Sequence, residues 1–233
     1  MRAGLWWGAS ALNDYHFNFQ YIWRHFDRLW DGLVLSLELA LVSILIGMVI
    51  GLALALVHVG GSRWLRPLVV AYVEFIRNVP LLLLVYLVFY GLPSIGGFSY
   101  GPTTSFILTL SLYSGAYLVE IFRAGLDAVP RGLIDAGKAI GLTPWQRLIH
   151  VRLPTMFRIV LPSLSNTYIS LFKDTSIASV IAVPELTYGA QWINFNTFRI
   201  IEVYAVVTPM YLVTGYVILL ALQRFERRYA IRR

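Results

Sequence analysis

The chain has 233 residues, 58% of them hydrophobic and 13% charged, with a net charge of +7 and no cysteine. Soluble domains average about 45–50% apolar and about 25% charged, so this composition belongs to a lipid-solvated protein. Disulfides, thiolate metal sites and cysteine nucleophiles are excluded. The basic residues fall mostly in loops between apolar runs, which is a membrane-protein distribution and not that of a nucleic-acid binder.

Residues 1–31 are aromatic and polar, with Trp6, Trp7, Tyr15, Phe17, Phe19, Tyr21, Trp23 and Trp30, and lack a compact apolar stretch before a cleavage site. They predict an amphipathic, extracytoplasmic interfacial segment rather than a cleaved signal. Five runs then approach the roughly 20 apolar residues a helix needs to cross a hydrocarbon core of about 30 Å. They cover 32–59, 68–92, 104–122, 159–183 and 200–222. An all-α integral membrane fold with five spans is expected. Gly47 and Gly51 form a GxxxG in the first run, which permits close helix packing but often arises by chance.

The first and last runs are almost purely apolar, whereas the middle three are not. The second holds Glu74, Arg77, Asn78 and Pro80. Glu74 and Arg77 stand three apart, within pairing reach on a helix, and Pro80 should kink it. The third run carries Glu120, the fourth Lys173, Asp174, Thr175 and Ser176, and the first Glu38. A charge at the bilayer centre costs about 2.5–3.5 kcal/mol on insertion scales, so such residues are usually functional. The blander alternative is mutual pairing that locks the bundle. Neighbours on a helix diverge by about 100°, so Lys173 and Asp174 cannot both face one partner, and one of them should line a cavity.

The loops set an orientation. Arg63 and Arg66 follow the first run. Arg123, Arg131, Lys138, Arg147, Arg152 and Arg158 follow the third, and Arg224, Arg227, Arg228, Arg232 and Arg233 occupy the tail. These are most of the 19 basic residues, while 93–103 and 184–199 are nearly bare. The positive-inside rule makes the basic side cytoplasmic. Five spans then leave the N-terminus outside and the 223–233 tail in the cytoplasm.

The loop at 123–158 is unusually well specified. After Pro130, Gly132–Ile140 reads as a short helix, and Gly141 suits a sharp turn. Thr143-Pro144-Trp145-Gln146 is a helix start with an N-cap, a proline at the first position and a capping-box glutamine. That helix should run to about Val151, limited by Pro154. A helix–glycine–helix elbow on the cytoplasmic side suggests a docking surface. Gly132–Lys138 also matches GxxxxGK, yet Ala139 stands where a P-loop has Ser or Thr and no strand precedes it. ATP binding by this chain is not expected.

At this elbow the sequence resembles the permease subunits of bacterial ABC importers, whose hallmark is an EAA loop closed by I-x-L-P. Asp135, Ala136 and Gly137 stand at the E-A-A positions, Gly141 at the glycine, and Val151 with Leu153-Pro154 at the close. The departures are Glu to Asp, Ala to Gly and Ile to Val. EFIRNVPLLLL at Glu74–Leu84, EIFRAGLDAVPRG at Glu120–Gly132 and LFKDTSIASVI at Leu171–Ile181 resemble the polar amino-acid uptake branch.

The resemblance implies a type I ABC importer permease fold in a bacterial inner membrane, with five spans and an outside N-terminus. It implies that Asp135, Ala136, Gly137, Gly141, Thr143, Pro144, Trp145 and Gln146 couple to a cytoplasmic ABC ATPase dimer. That dimer, not this chain, would bind ATP and magnesium. A second permease, identical or paralogous, and a periplasmic amino-acid-binding protein complete the implied assembly. Arg77, Glu120, Lys173, Asp174, Thr175 and Ser176 are the candidate solute pathway. The principal rival is an ATP-independent secondary transporter or channel, which leaves the elbow without a purpose. A membrane-embedded enzyme would need a catalytic constellation that the sequence does not display.

Overall fold

A computed structural model describes residues 16–60, 64–97 and 99–229, among which every regular element is helical. A short helix α1 (Gln20–Arg24) leads into α2 (Phe26–Gly60), whose 35 residues reach about 52 Å at 1.5 Å per residue. This exceeds a hydrocarbon core of about 30 Å, so the ends of α2 stand in the interfaces. Phe26–Asp31, assigned from sequence to the N-terminal segment, belong to the same continuous helix as the span. Phe17, Trp23 and Trp30 are exposed, while Trp6, Trp7 and Tyr15 lie outside the described residues.

The GxxxG in α2 is a packing device. It meets α6 (Pro102–Asp127), the helix against which α2 packs most extensively. A Cβ on Gly47 would fall 2.1 Å from Ser114 Oγ, and one on Gly51 would fall 2.6 Å from Leu118 Cβ. Gly115 returns the arrangement from α6, where a Cβ would sit 3.0 Å from Ile50 Cγ2. Without side chains at these three positions the backbones approach closely, and dispersion contacts replace the hydrophobic drive that lipid removes.

The run at 68–92 is not one continuous helix. Helix α3 (Leu65–Asn78) stops at Val79, whose φ of −96° and ψ of 131° are extended. A proline's ring disfavours the helical region for the residue before it, and Pro80 itself lacks a donor. The chain restarts as α4 (Leu81–Tyr86), passes a π-helical turn at Leu87–Gly91 and ends in α5 (Leu92–Gly96). The two arms are bent by 108°, a break rather than the kink expected from sequence.

The elbow consists of α7 (Arg131–Ala139) and α8 (Pro144–Arg147). Contrary to the expected end near Val151, α8 does not stop there. It continues through a π-helical turn at Leu148–Arg152 into α9 (Leu153–Asp174). The wider turn directly precedes Pro154, which cannot donate the bond that a regular helix would ask of it.

Beyond Asp174 the chain tightens into a 3₁₀ stretch, Thr175–Ile181, turns at Ala182 with a φ of 60°, and forms α10 (Leu186–Thr197) and α11 (Ile200–Tyr229). Buried Glu185 caps α10. Its carboxylate accepts from the backbone N–H of Tyr188 at 2.8 Å and of Thr187 at 2.9 Å, and from the Tyr211 hydroxyl at 3.0 Å.

Among the described residues, three helices are long and apolar enough to cross a membrane: α2, α6 and α11. The bent pair makes a fourth when taken as one span. This corrects the expectation of five. The run at 159–183 is not a continuous apolar helix, because Ser163, Ser165, Asn166, Thr167 and Ser170 dilute its hydropathy and its helix ends at Asp174.

Candidate functional site

Two constellations stand out, one at each end of the helical run Pro144–Asp174. The first is a cavity of about 340 Å³ between α6 and α9, lined by Tyr113, Tyr117, Asn166, Thr167, Ser170 and Asp174, with Ser114 and Leu171. Tyr113 and Tyr117 lie one turn apart on α6. Asn166, Ser170 and Asp174 recur every fourth residue on α9, so they share one face. The Tyr113 hydroxyl donates to the Tyr117 hydroxyl at 3.2 Å, and the two rings lie 4.9 Å apart. Asp174 is half-buried and makes no hydrogen bond or ion pair among the described residues. A half-buried carboxylate without a partner is expensive unless a ligand answers it.

The candidate pathway residues do not all converge here. Arg77 reaches the cavity's edge, its guanidinium carbon 5.3 Å from the Tyr117 ring centroid, within cation–π range. It does not pair with Glu74, which instead accepts from the Asn78 amide at 3.0 Å. Lys173 is exposed. Thr175 is buried and its hydroxyl donates to the Phe172 carbonyl at 2.7 Å, while that of Ser176 donates to the Lys173 carbonyl at 2.8 Å. Both serve the backbone where α9 tightens. Glu120 accepts from Arg123 at 2.7 Å and lines a separate cavity with His58 and Glu74. Glu38 is exposed on α2.

Sequence reasoning missed Tyr113, Tyr117, Asn166, Thr167 and Ser170. The signal was present as a polar stripe at i, i+4 and i+8 ending on Asp174. Attention to formal charge alone passes over it.

The second constellation is the elbow. Gly141 adopts a left-handed φ of 80°. Its N–H donates to the Lys138 carbonyl at 2.9 Å, and the Leu142 N–H donates to the Gly137 carbonyl at 3.0 Å. Together these close α7 in a Schellman motif, which favours glycine at this position. Gly137 is buried because the Arg147 stem crosses it, with Cγ 3.3 Å from where a Cβ would stand. The capping box is complete: Thr143 Oγ1 accepts from the Gln146 N–H at 3.3 Å, and Gln146 Oε1 accepts from the Thr143 N–H at 2.9 Å.

Asp135 and Lys138 pair at 2.8 Å on the surface, and the lysine's hydrogen bond and charge hold the Asp135 carboxyl below the usual carboxylate range. Ile140 and Trp145 are 77% and 67% exposed, a large apolar presentation for a surface between two membrane helices. Pro144, Gln146 and Ala136 are exposed as well. The GxxxxGK match lies within α7 and is helical, not a phosphate-cradling loop.

Residues 43–231 match the family described as binding-protein-dependent transport system inner membrane component. The chain belongs to that family. Over 215 residues it is 32% identical to the probable glutamine ABC transporter permease protein GlnM of Bacillus subtilis (strain 168), covering 91% of this chain and 97% of that protein. Over 175 residues it is 39% identical to the L-cystine transport system permease protein TcyB of the same organism, covering 75% and 74%. A solved structure described as an amino acid ABC transporter with histidines superposes with a TM-score of 0.85 at 30% identity, covering 92% of this chain and 100% of that one. The inward-facing MetNI methionine ABC transporter gives a TM-score of 0.75 at 23% identity over 92% and 100%, a likeness of fold. The protein is thus a multi-pass inner membrane component of an ABC importer. Its family implies an ATPase and a substrate-binding protein as partners.

Proposed function

We propose that this chain is the permease subunit through which an ATP-driven importer moves a polar amino acid into the cytoplasm. The observation that carries the reading is the helical run Pro144–Asp174, which joins the elbow to the polar cavity without a break. A push on α8 reaches Asp174 along hydrogen-bonded backbone rather than through a slack linker. The relatives named for glutamine and cystine, and the neighbour described as an amino acid transporter, support the substrate class.

In this reading Asp174 meets the ammonium of the solute, with the Tyr113 and Tyr117 hydroxyls, Asn166, Thr167 and Ser170 offering further polar contacts. Arg77 beside Tyr117 answers the carboxylate. Glu120, Lys173, Thr175 and Ser176 act around the pathway, through the Arg123 pair and the end of α9. The elbow residues Asp135, Ala136, Gly137, Gly141, Thr143, Pro144, Trp145 and Gln146 engage a cytoplasmic ATPase dimer, which holds ATP and magnesium. This chain needs no cofactor of its own. Two permeases pair over that dimer, and a periplasmic amino-acid-binding protein delivers the solute.

The basic asymmetry supports an elbow and a 223–233 tail on the cytoplasmic side, and an extracytoplasmic segment before residue 32. Helix α9 leads away from the elbow with its polar face on the cavity, where protein and solute replace lipid. Nucleotide and solute drive the cycle only through their different affinities for its states.

The test is reconstitution of the complex with its ATPase and binding protein in liposomes, followed by uptake of labelled polar amino acids. Uptake should require ATP and be lost in Gly141→Arg while the complex stays folded. Uptake that proceeds on an ion gradient without ATP sinks the reading in favour of a secondary transporter.

A further inference from the structure

We propose that a cavity beneath the elbow binds the headgroup of an anionic phospholipid from the cytoplasmic leaflet. The cavity measures about 660 Å³ and lies where the last turns of α2 meet the end of α6 and the start of α8. Its walls are apolar, with Leu56, Val57 and Leu126 among them, and its charged side chains are Arg147 and Arg152. Among the described residues no carboxylate lines it.

The two guanidiniums are poorly answered by the protein. Among the described residues Arg152 Nε is buried with no hydrogen-bond partner, and its Nη2 donates to the Leu126 carbonyl only at 3.5 Å. Neither arginine forms an ion pair among the described residues. Asp135 feels the charge of Arg147, but its carboxylate is bonded to Lys138. A buried guanidinium donor left unpaired costs free energy that a phosphodiester would recover, since arginine binds phosphate through paired, charge-assisted hydrogen bonds.

Position and shape select the occupant. The end of α2 marks the cytoplasmic boundary of a membrane span, where anionic headgroups lie, and basic pockets between such helices suit them. Acyl chains complement the walls at Leu56, Val57 and Leu126. An acidic loop of a protein partner would instead bring backbone N–H and C=O groups against those walls, where nothing satisfies them. The volume lies within the range of small-ligand sites, about 300–1,000 Å³. A lipid seated here bridges the end of α2 to α8 and becomes part of the elbow's support.

Native mass spectrometry of the delipidated complex with its ATPase tests this, with titration of phosphatidylglycerol, phosphatidylcholine and inorganic phosphate. Phosphatidylglycerol should bind more tightly than phosphatidylcholine. Arg147→Gln and Arg152→Gln should each weaken it about fivefold and leave phosphatidylcholine unmoved. Arg158→Gln, exposed and outside the cavity, should change neither. If Arg152→Gln fails to fold, Arg147→Gln and the cavity-filling Val57→Trp carry the test. Unchanged phosphatidylglycerol affinity in the arginine variants overturns the proposal. So does inorganic phosphate competing at equal concentration, which marks a free-anion site. Loss of ATPase from the complex with lipid binding intact also overturns it, marking a protein contact.

Discussion

The elbow and the cavity terminate the same helical run, yet they are held in opposite ways. Every bond that shapes the elbow joins residues within about one turn of each other: Gly141 to Lys138, Leu142 to Gly137, Thr143 to Gln146 and Asp135 to Lys138. The cavity exists only because α6 and α9, some fifty residues apart in sequence, lie side by side. Its Asp174 has no hydrogen-bond or ion-pair partner among the described residues. One region is a self-contained shape suited to being pushed, and the other is an unfilled set of polar groups suited to receiving something. Substitutions at the two ends should therefore separate coupling from solute recognition.

The largest effect is expected at Asp174. A charge-assisted hydrogen bond to a ligand contributes about 1.5–3 kcal/mol, so Asp174→Asn should weaken solute-dependent uptake roughly ten- to hundredfold. Because the carboxylate has no partner among the described residues, thermal unfolding should move little, and ATPase association not at all. Lys173→Gln, on the exposed side of the same turn, is the contrast and should leave uptake near wild type. Equal losses in both variants would mean that the polar end of α9, and not a directed carboxylate, is what matters.

Gly141→Val comes next. A non-glycine residue in the left-handed region costs roughly 1–2 kcal/mol, more when β-branched, and here the strain falls on the hinge of the elbow. ATP-driven uptake should fall about tenfold while solute affinity, measured at equilibrium on the assembled complex, stays unchanged. Thr143→Ala is milder. Loss of an N-cap costs about 1 kcal/mol, equivalent to about fivefold in the population of the formed elbow, with the same selectivity for coupling. A change in solute affinity in either variant would break the division between the two ends.

The same contrast explains what could be foreseen from residues alone. Thr143, Pro144, Gln146 and Gly141 carry local rules, so the elbow's start, turn and cap were legible. Its second helix was not, because the π-helical turn that carries it past Val151 into α9 answers to Pro154 and to packing. Asp174 was legible as one of two neighbours that could face a cavity, but the choice between it and Lys173 depends on where α6 lies. Tyr113 and Tyr117 look like ordinary aromatic residues of a span until α9 is set against them. The count of five spans failed because apolar content was read over windows and not helix by helix. Asn166, Thr167 and Ser170 dilute the run at 159–183 and face a cavity, and Pro80 turns another apolar run into two arms at 108°.

The smallest expected effect concerns the surface ion pair of the elbow, Asp135 with Lys138. Lys138 holds the Asp135 carboxyl below the usual carboxylate range. A carboxyl with a depressed folded pKa adds stability that is fully present above its unfolded pKa of about 4 and is lost as pH falls through the lower, folded value. Both side chains are more than half exposed, at 56% and 65%, so salt screens the pair and the long side chains resist being fixed. ATPase association measured between pH 8 and pH 5 should therefore be flat with respect to this carboxyl, and Lys138→Gln should not shift it at physiological salt. A fall in association within that window, removed by Asp135→Asn, would mean that a partner raises the Asp135 pKa on docking. The first acidic position of the elbow would then be buried against the ATPase rather than left beside Lys138 in water.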